Sequence, residues 1–210
     1  MGHPLRPQQQ DHLGRAATAD ELTPGDQSDQ RVHDDFLARF AERAAGKLPG
    51  MPDDEGAEIG PLVNAAQLAA VRGVLERPPS HAEVAAGGAA LDRPGYFHQA
   101  TVVAGVRQRD EIVRGEVFGP VVTVQPFTDE TEAFQLANGV PQGLAESVWT
   151  RDHDRAMRAS RALRTGIVWV NTHGTTVSEM PHGGVRHSGY GGDLSLTGLL
   201  DYTQVKHVML

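Results

Sequence analysis

Glu116-Val-Phe-Gly-Pro120 sets a carboxylate two residues before an aromatic ring, directly ahead of a β-branched run. The carboxylate accepts hydrogen bonds from hydroxyls and the ring supplies apolar contact area, a pairing suited to a polar, planar ligand. The same five residues also read as a turn that leads into a strand and buries its phenylalanine. Trp169-Val170-Asn171 closes a second β-branched run. Open α/β sheets bind ligands beyond the carboxyl ends of their strands, so Asn171 could donate and accept in such a pocket; it equally suits a turn.

Other constellations carry less. Ser188, His187 and Asp193 have the residue types of a hydrolytic triad, but neighbours in sequence do not make one, and the G-x-S-x-G elbow is absent. Asp53-Asp54 reads as a solvated turn rather than a glycosidase pair. Gly183-Gly184 and Gly191-Gly192 match neither phosphate-binding pattern and read as flexible or tightly turned backbone. The chain contains no cysteine, which removes disulfides, thiolate metal sites and cysteine nucleophiles from it. His182 and His187 lie close together, but no HExxH motif accompanies them, so no metal is expected.

The elements that must position Glu116, Phe118 and Asn171 follow from periodicity. Phe36, Leu37, Phe40, Ala41, Ala44 and Leu48 predict a helix over 33–48. Asn64 caps a second helix with Leu68, Val71, Val74 and Leu75 inward, and Pro78-Pro79 stops it. Val84–Ala86 and Thr101–Val103 are short strands. From Val121 onward the pattern runs strand (121–127), helix (129–138), strand (144–149), helix (Asp152 to Leu163) and strand (167–170). That alternation predicts an α/β domain with a mainly parallel sheet over 31–198. Residues 171–192 hold six glycines and little period. Residues 1–30 read as an irregular or disordered leader, and 199–210 as an extended tail.

A hydrophobic fraction of 39% over 210 residues supports one sizeable core. The net charge of −8 argues against nucleic acid as a partner. No apolar run is long enough to span a membrane, and Met1–Gln10 lacks the apolar core of a secretory signal, so the expected compartment is the cytoplasm.

Taken in order, Ile59-Gly-Pro-Leu62, Gly95-Tyr-Phe97, Glu116-Val-Phe-Gly-Pro120, Gly143-Leu144 with Ser147-Val-Trp-Thr150, Gly166–Asn171, Pro181-His-Gly-Gly through Gly189, and Asp201-Tyr-Thr-Gln-Val-Lys-His-Val208 resemble the aldehyde dehydrogenase family. Together they cover about 31–210 and are closest in flavour to bacterial aminobutyraldehyde dehydrogenases. The resemblance implies a truncated catalytic domain of that family. It also implies a reaction, oxidation of an aldehyde to a carboxylic acid with NAD or NADP, in which a cysteine thiolate attacks the aldehyde and a glutamate activates water. By resemblance, Glu116 matches the glutamate that contacts the nicotinamide-side ribose. Phe118 matches the aromatic that borders the nicotinamide, and Asn171 lies in the substrate-side loop. The 199–210 tail matches a strand through which subunits associate, so a homo-oligomer, or pairing with a full-length relative, is expected.

The departures bear on activity. The family nucleophile would fall near residues 17–22, where no cysteine stands. The general base, the cofactor domain and the oxyanion-hole asparagine have no counterpart in these residues. Arg114-Gly115, Gln142 and Ala100 also depart from the usual pattern. The expectation is a chain inactive alone that binds cofactor poorly, or a non-catalytic module that pairs with itself or a partner.

Overall fold

Thr101–Ala104 is buried at every position, which alternating side chains allow only if both faces of the strand are covered. In the computed structural model, which describes residues 30–210, this strand (β2) is the centre of three layers. Val102 packs with Ala44, Ala100 and Val124 beneath Phe36, Leu37 and Phe40 of the first helix, α1 (Gln30–Ala45). Val103 packs on the opposite face with Val106 and Ile112, against Val74 and Leu75 of α2 (Ala65–Leu75). Antiparallel β1 (Glu83–Ala86) flanks β2 on one side and parallel β3 (Val121–Thr123) on the other.

The helix starts follow from side chains that accept otherwise unpaired amides. Asn64 accepts from Gln67 N, Asp129 from Glu132 N at the head of α4 (Glu130–Asn138), and Asp152 from Arg155 N at the head of α5 (His153–Ala162). Arg158 grips Glu130 through two bonds of 2.6 and 2.9 Å, tying α5 to α4. This guanidinium holds the Glu130 carboxyl below its ordinary range.

The strands do not form one sheet. β4 (Ala145–Val148) pairs in parallel with β5 (Ile167–Val170), separately from the β1-β2-β3 sheet. The crossover from β3 through α4 therefore reaches β4 without making it a neighbour of β3. A cavity of about 430 Å³ separates them, lined by Val122–Gln125 on one side and Ala145–Trp149 on the other.

Several boundaries differ from the sequence reading. α1 begins and ends about three residues earlier, because Gly46 and Pro49 break the turn that Leu48 was expected to continue. Strand pairing at 121–127 stops at Thr123, ahead of Pro126, which has no amide to donate. A short helix, α3 (Glu111–Arg114), lies where no element was read, and a 3₁₀ turn at Arg186–Ser188 lies in the segment read as irregular. α6 (Ser195–Asp201) makes Leu199–Asp201 helical rather than extended, and 204–210 has no regular structure. The reading of residues 1–30 as an irregular or disordered leader lies outside the described residues except at Gln30, where α1 begins.

Glu146 lines the cavity with an oxygen, Oε2, that meets no hydrogen-bond partner among the described residues. Burial pushes its carboxyl above the ordinary value of 4.5, partly offset by Arg186. A raised folded-state value means that the unfolded chain ionises first. Stability from this group is thus fully present below 4.5 and is lost as pH rises through the folded-state value. Glu146→Gln should therefore raise the Tm by roughly 1–3 °C at pH 7, with the gain vanishing near pH 4. Thermal scans across this range check it, and a gain that persists unchanged at low pH would contradict it.

Candidate functional site

α2 builds the segment that carries Glu116 and Phe118. Asn64 and Gln67 have the spacing of a reciprocal capping pair, in which the second side chain would reach back to the first residue. Here Gln67 is diverted. Its Nε2 donates instead to Val117 O and Phe118 O, both at 3.0 Å. One helix turn on, Val71 packs so closely against Gly119 that an added Cβ would lie 2.7 Å from Val71 Cγ2. Glycine is required there by contact rather than by conformation.

This clamp has a consequence for Phe118. Its backbone sits at φ 53°, a left-handed conformation that a bulky side chain adopts only when its surroundings impose it. The ring points outward and is 72% exposed. The ring is therefore not buried in the turn, which was one of the two readings open from sequence. Glu116 is also exposed, on the same short loop.

The loop is anchored at its other end by residues that depart from the family pattern. Gln142 Nε2 donates to Arg114 O at 3.2 Å, so two of those departures touch each other. Gln142 is in turn held by Arg186, whose guanidinium reaches four carbonyls: Asn138 and Val140 through Nη1, Gln142 and Arg164 through Nη2. Ser188 Oγ accepts from Gly143 N at 2.9 Å. The glycine-rich segment is thus tightly packed rather than flexible. Gly166 meets the Gly183 carbonyl where a Cβ would stand 1.7 Å away.

Asn171 lies elsewhere, just past the carboxyl end of β5. It too is left-handed, at φ 54°. Its Oδ1 accepts from Thr150 N and its Nδ2 donates to Thr150 O, each at 2.8 Å. The side chain therefore splices the ends of β4 and β5. The loop beyond is pinned by Trp169 Nε1 donating to Thr175 O at 2.7 Å, and by Ser147 Oγ paired with His173 Nδ1 at 2.5 Å. The 430 Å³ cavity is lined by none of Glu116, Phe118 and Asn171.

Two motifs distant in sequence also meet. Leu62 N donates to Tyr96 O at 2.9 Å, and Arg93 stacks 3.7 Å over the Phe97 ring. Among the described residues, no group of three or more His, Cys, Asp or Glu could hold a metal, and no helix is long and apolar enough to cross a membrane. Sequence reasoning missed Gln67, Gln142 and Arg186. Gln67 carried a signal in its capping spacing from Asn64, and Gln142 in its departure from the family pattern, but neither pointed to the contact it makes.

Comparison with known proteins agrees with these motifs. Residues 28–208 match the aldehyde dehydrogenase family. The chain is 38% identical over 200 residues to (Z)-2-((N-methylformamido)methylene)-5-hydroxybutyrolactone dehydrogenase of Acinetobacter baylyi, covering 93% of this chain and 41% of that protein. It is 37% identical over 182 residues to betaine aldehyde dehydrogenase of Bacillus subtilis, covering 84% and 37%. The NAD+ complex of an aldehyde dehydrogenase from Bacillus cereus superposes with a TM-score of 0.81 at 33% identity, over 84% of this chain and 36% of that one. The chain thus spans about two fifths of the length of these relatives.

Replacing Gln67 with Ala should release the Glu116–Phe118 loop while leaving α2 capped by Asn64. Two hydrogen bonds of about 0.5–1.5 kcal/mol each are lost, so the denaturation midpoint should fall and the loop amides should exchange faster. Denaturant titration with amide exchange checks both. Unchanged exchange at Val117 and Phe118 would show that Gln67 does not hold the loop.

Proposed function

The chain belongs to the aldehyde dehydrogenase family, and from that membership we propose that it supplies one part of an NAD(P)-dependent oxidation of an aldehyde to a carboxylic acid. What carries the reading is the superposition on an NAD+-bound aldehyde dehydrogenase at 33% identity, together with the outward Phe118 ring on its clamped loop. In this reading Glu116 accepts hydrogen bonds from the nicotinamide-side ribose and Phe118 lies against the nicotinamide. Asn171 acts on the substrate side by fixing the loop at 171–177, since both ends of its amide are engaged by Thr150.

The substrate we favour is an aminoaldehyde. Its support is the similarity to proteins named betaine aldehyde dehydrogenase from Bacillus subtilis and Cereibacter sphaeroides.

These residues fit one edge of a dinucleotide and no more. A carboxylate and a ring on one loop leave the adenine and pyrophosphate without contacts, and affinity needs many contacts once ordering costs are met. When bound, the cofactor accepts hydride; the chain's own part is to orient its ribose end. The chain contains no cysteine to attack the aldehyde. A second reading, a partner-binding role, is favoured by the exposed apolar side chains of Tyr202, Val205, Val208, Met209 and Leu210.

The purified chain, given an aldehyde and NAD or NADP, should form no reduced cofactor, and calorimetric titration should show no saturable cofactor binding. Turnover that survives repurification would overturn the inactivity, and micromolar saturable binding would overturn the partial-site reading. Were binding found, Glu116→Gln should weaken it; unchanged affinity would remove the ribose assignment.

A further inference from the structure

The cavity between the two sheets is bounded by two strand edges that have no partner strand among the described residues, and hydrogen-bond parity identifies the groups left over. Thr101 N donates to Pro120 O at 2.8 Å and Val124 N donates to Val103 O at 2.9 Å, so even-numbered residues of β3 face β2. Ile167 N donates to Leu144 O at 3.1 Å and Asn171 N to Val148 O at 2.8 Å, so even-numbered residues of β4 face β5. In a parallel ladder, alternate residues turn their amide and carbonyl to opposite sides. Thr123 and Gln125 on one edge, and Ala145 and Ser147 on the other, therefore direct their backbone groups away from their own ladders. All four line the cavity. β3 and β4 are not neighbours in any sheet.

Much of the remaining lining is apolar, as an interior strand needs, and Glu130, Glu146, Arg155 and His173 add polar groups to it. Phe134 and Ala137 of α4, Ala159 of α5 and Phe36 of α1 present apolar surface to the space. A strand–helix–strand crossover is the connection that parallel strands use, and here it steps across a gap.

We propose that this cavity is a strand-insertion site. At least one β-strand enters between β3 and β4, pairs with both edges and joins the two sheets into one. Its source is the portion of the family's length that these 210 residues do not span. Whatever fills the gap uses both of its own edges, so the outer strand of an already formed sheet, such as that of a second copy, does not fit. A strand covered on both faces needs a near-continuous apolar run. Residues 1–29 contain none longer than Ala16-Ala17. The Bacillus cereus chain, of which this one spans 36%, has ample further length to provide one. The proposal rests on family membership and strand geometry, not on dehydrogenase activity.

The test mixes the whole chain with a recombinant polypeptide holding the part of the Bacillus subtilis betaine aldehyde dehydrogenase that precedes its matched region. In the chain alone, the amides of Thr123, Gln125, Ala145 and Ser147 should exchange about tenfold or more faster than those of Val122, Val124, Glu146 and Val148. Mixing should give a one-to-one complex by native mass spectrometry and slow the first four about tenfold or more. Gln125→Pro removes a donor that faces the gap and no ladder bond. It should weaken the complex about tenfold or more with unchanged far-ultraviolet circular dichroism, whereas Glu83→Lys on the outer edge of β1 should not. Equal protection of the two sets of amides in the chain alone would overturn the free edges. A homodimer that protects the four amides, no complex, or a complex that leaves them unprotected would overturn the occupant. Aldehyde oxidation by the mixture is a separate readout; an inactive complex would count against the catalytic proposal and leave this one standing.

Discussion

A backbone amide in the interior of an α/β sheet must meet a carbonyl on the side it faces, because no other partner is available at comparable cost. β3 and β4 meet that requirement on one side each. β2 satisfies β3 and β5 satisfies β4, while their other edges look across a largely apolar cavity at one another, with no partner strand among the described residues. The split of the sheet, the stretched β3–α4–β4 crossover and the orphaned Glu146 oxygen all lie around that gap. Helices whose apolar faces would cover a continuous sheet instead line an opening.

The candidate cofactor edge is insulated from this gap by a separate set of contacts. Gln67 and Val71 fix the loop of Glu116 and Phe118 from α2, which packs on the far side of β2. Gln142 and Arg186 then link that loop's foundation to the entrance of β4. The loop can therefore keep its shape while the two sheets await their complement. Asn171 depends on the β4–β5 pair alone. Filling the gap would set the relation between these two parts of the site without rebuilding either.

The sequence made much of this legible where one physical signal dominated. Asn64 and Asp152 announced their helices because a short side-chain acceptor before a helical period has few other uses. β5 was read correctly from its β-branched run at Ile167–Val170. The division into two sheets was not legible, since strand periodicity records which side chains are covered and says nothing of which edges pair. α3 and α6 escaped because four and seven residues hold too little period to reveal a helix. In the site, the motif placed Glu116 and Phe118 on one loop. The clamp from Gln67 and the guanidinium hub of Arg186 span many residues in sequence and bond to backbone carbonyls, which leave no trace in residue type. Asn171 shows the converse: a residue type fit for ligand contact is occupied by Thr150.

The structure turns on one feature: β3 and β4 are held apart for a strand that none of the described residues provides. An experimental structure of the chain bound to the amino-terminal portion of a full-length relative tests it most directly. The expected result is one or more inserted strands, hydrogen-bonded to Thr123 and Gln125 on one side and to Ala145 and Ser147 on the other, within a single continuous sheet. A structure in which β3 and β4 pair directly with each other, closing the cavity with nothing between them, would contradict it.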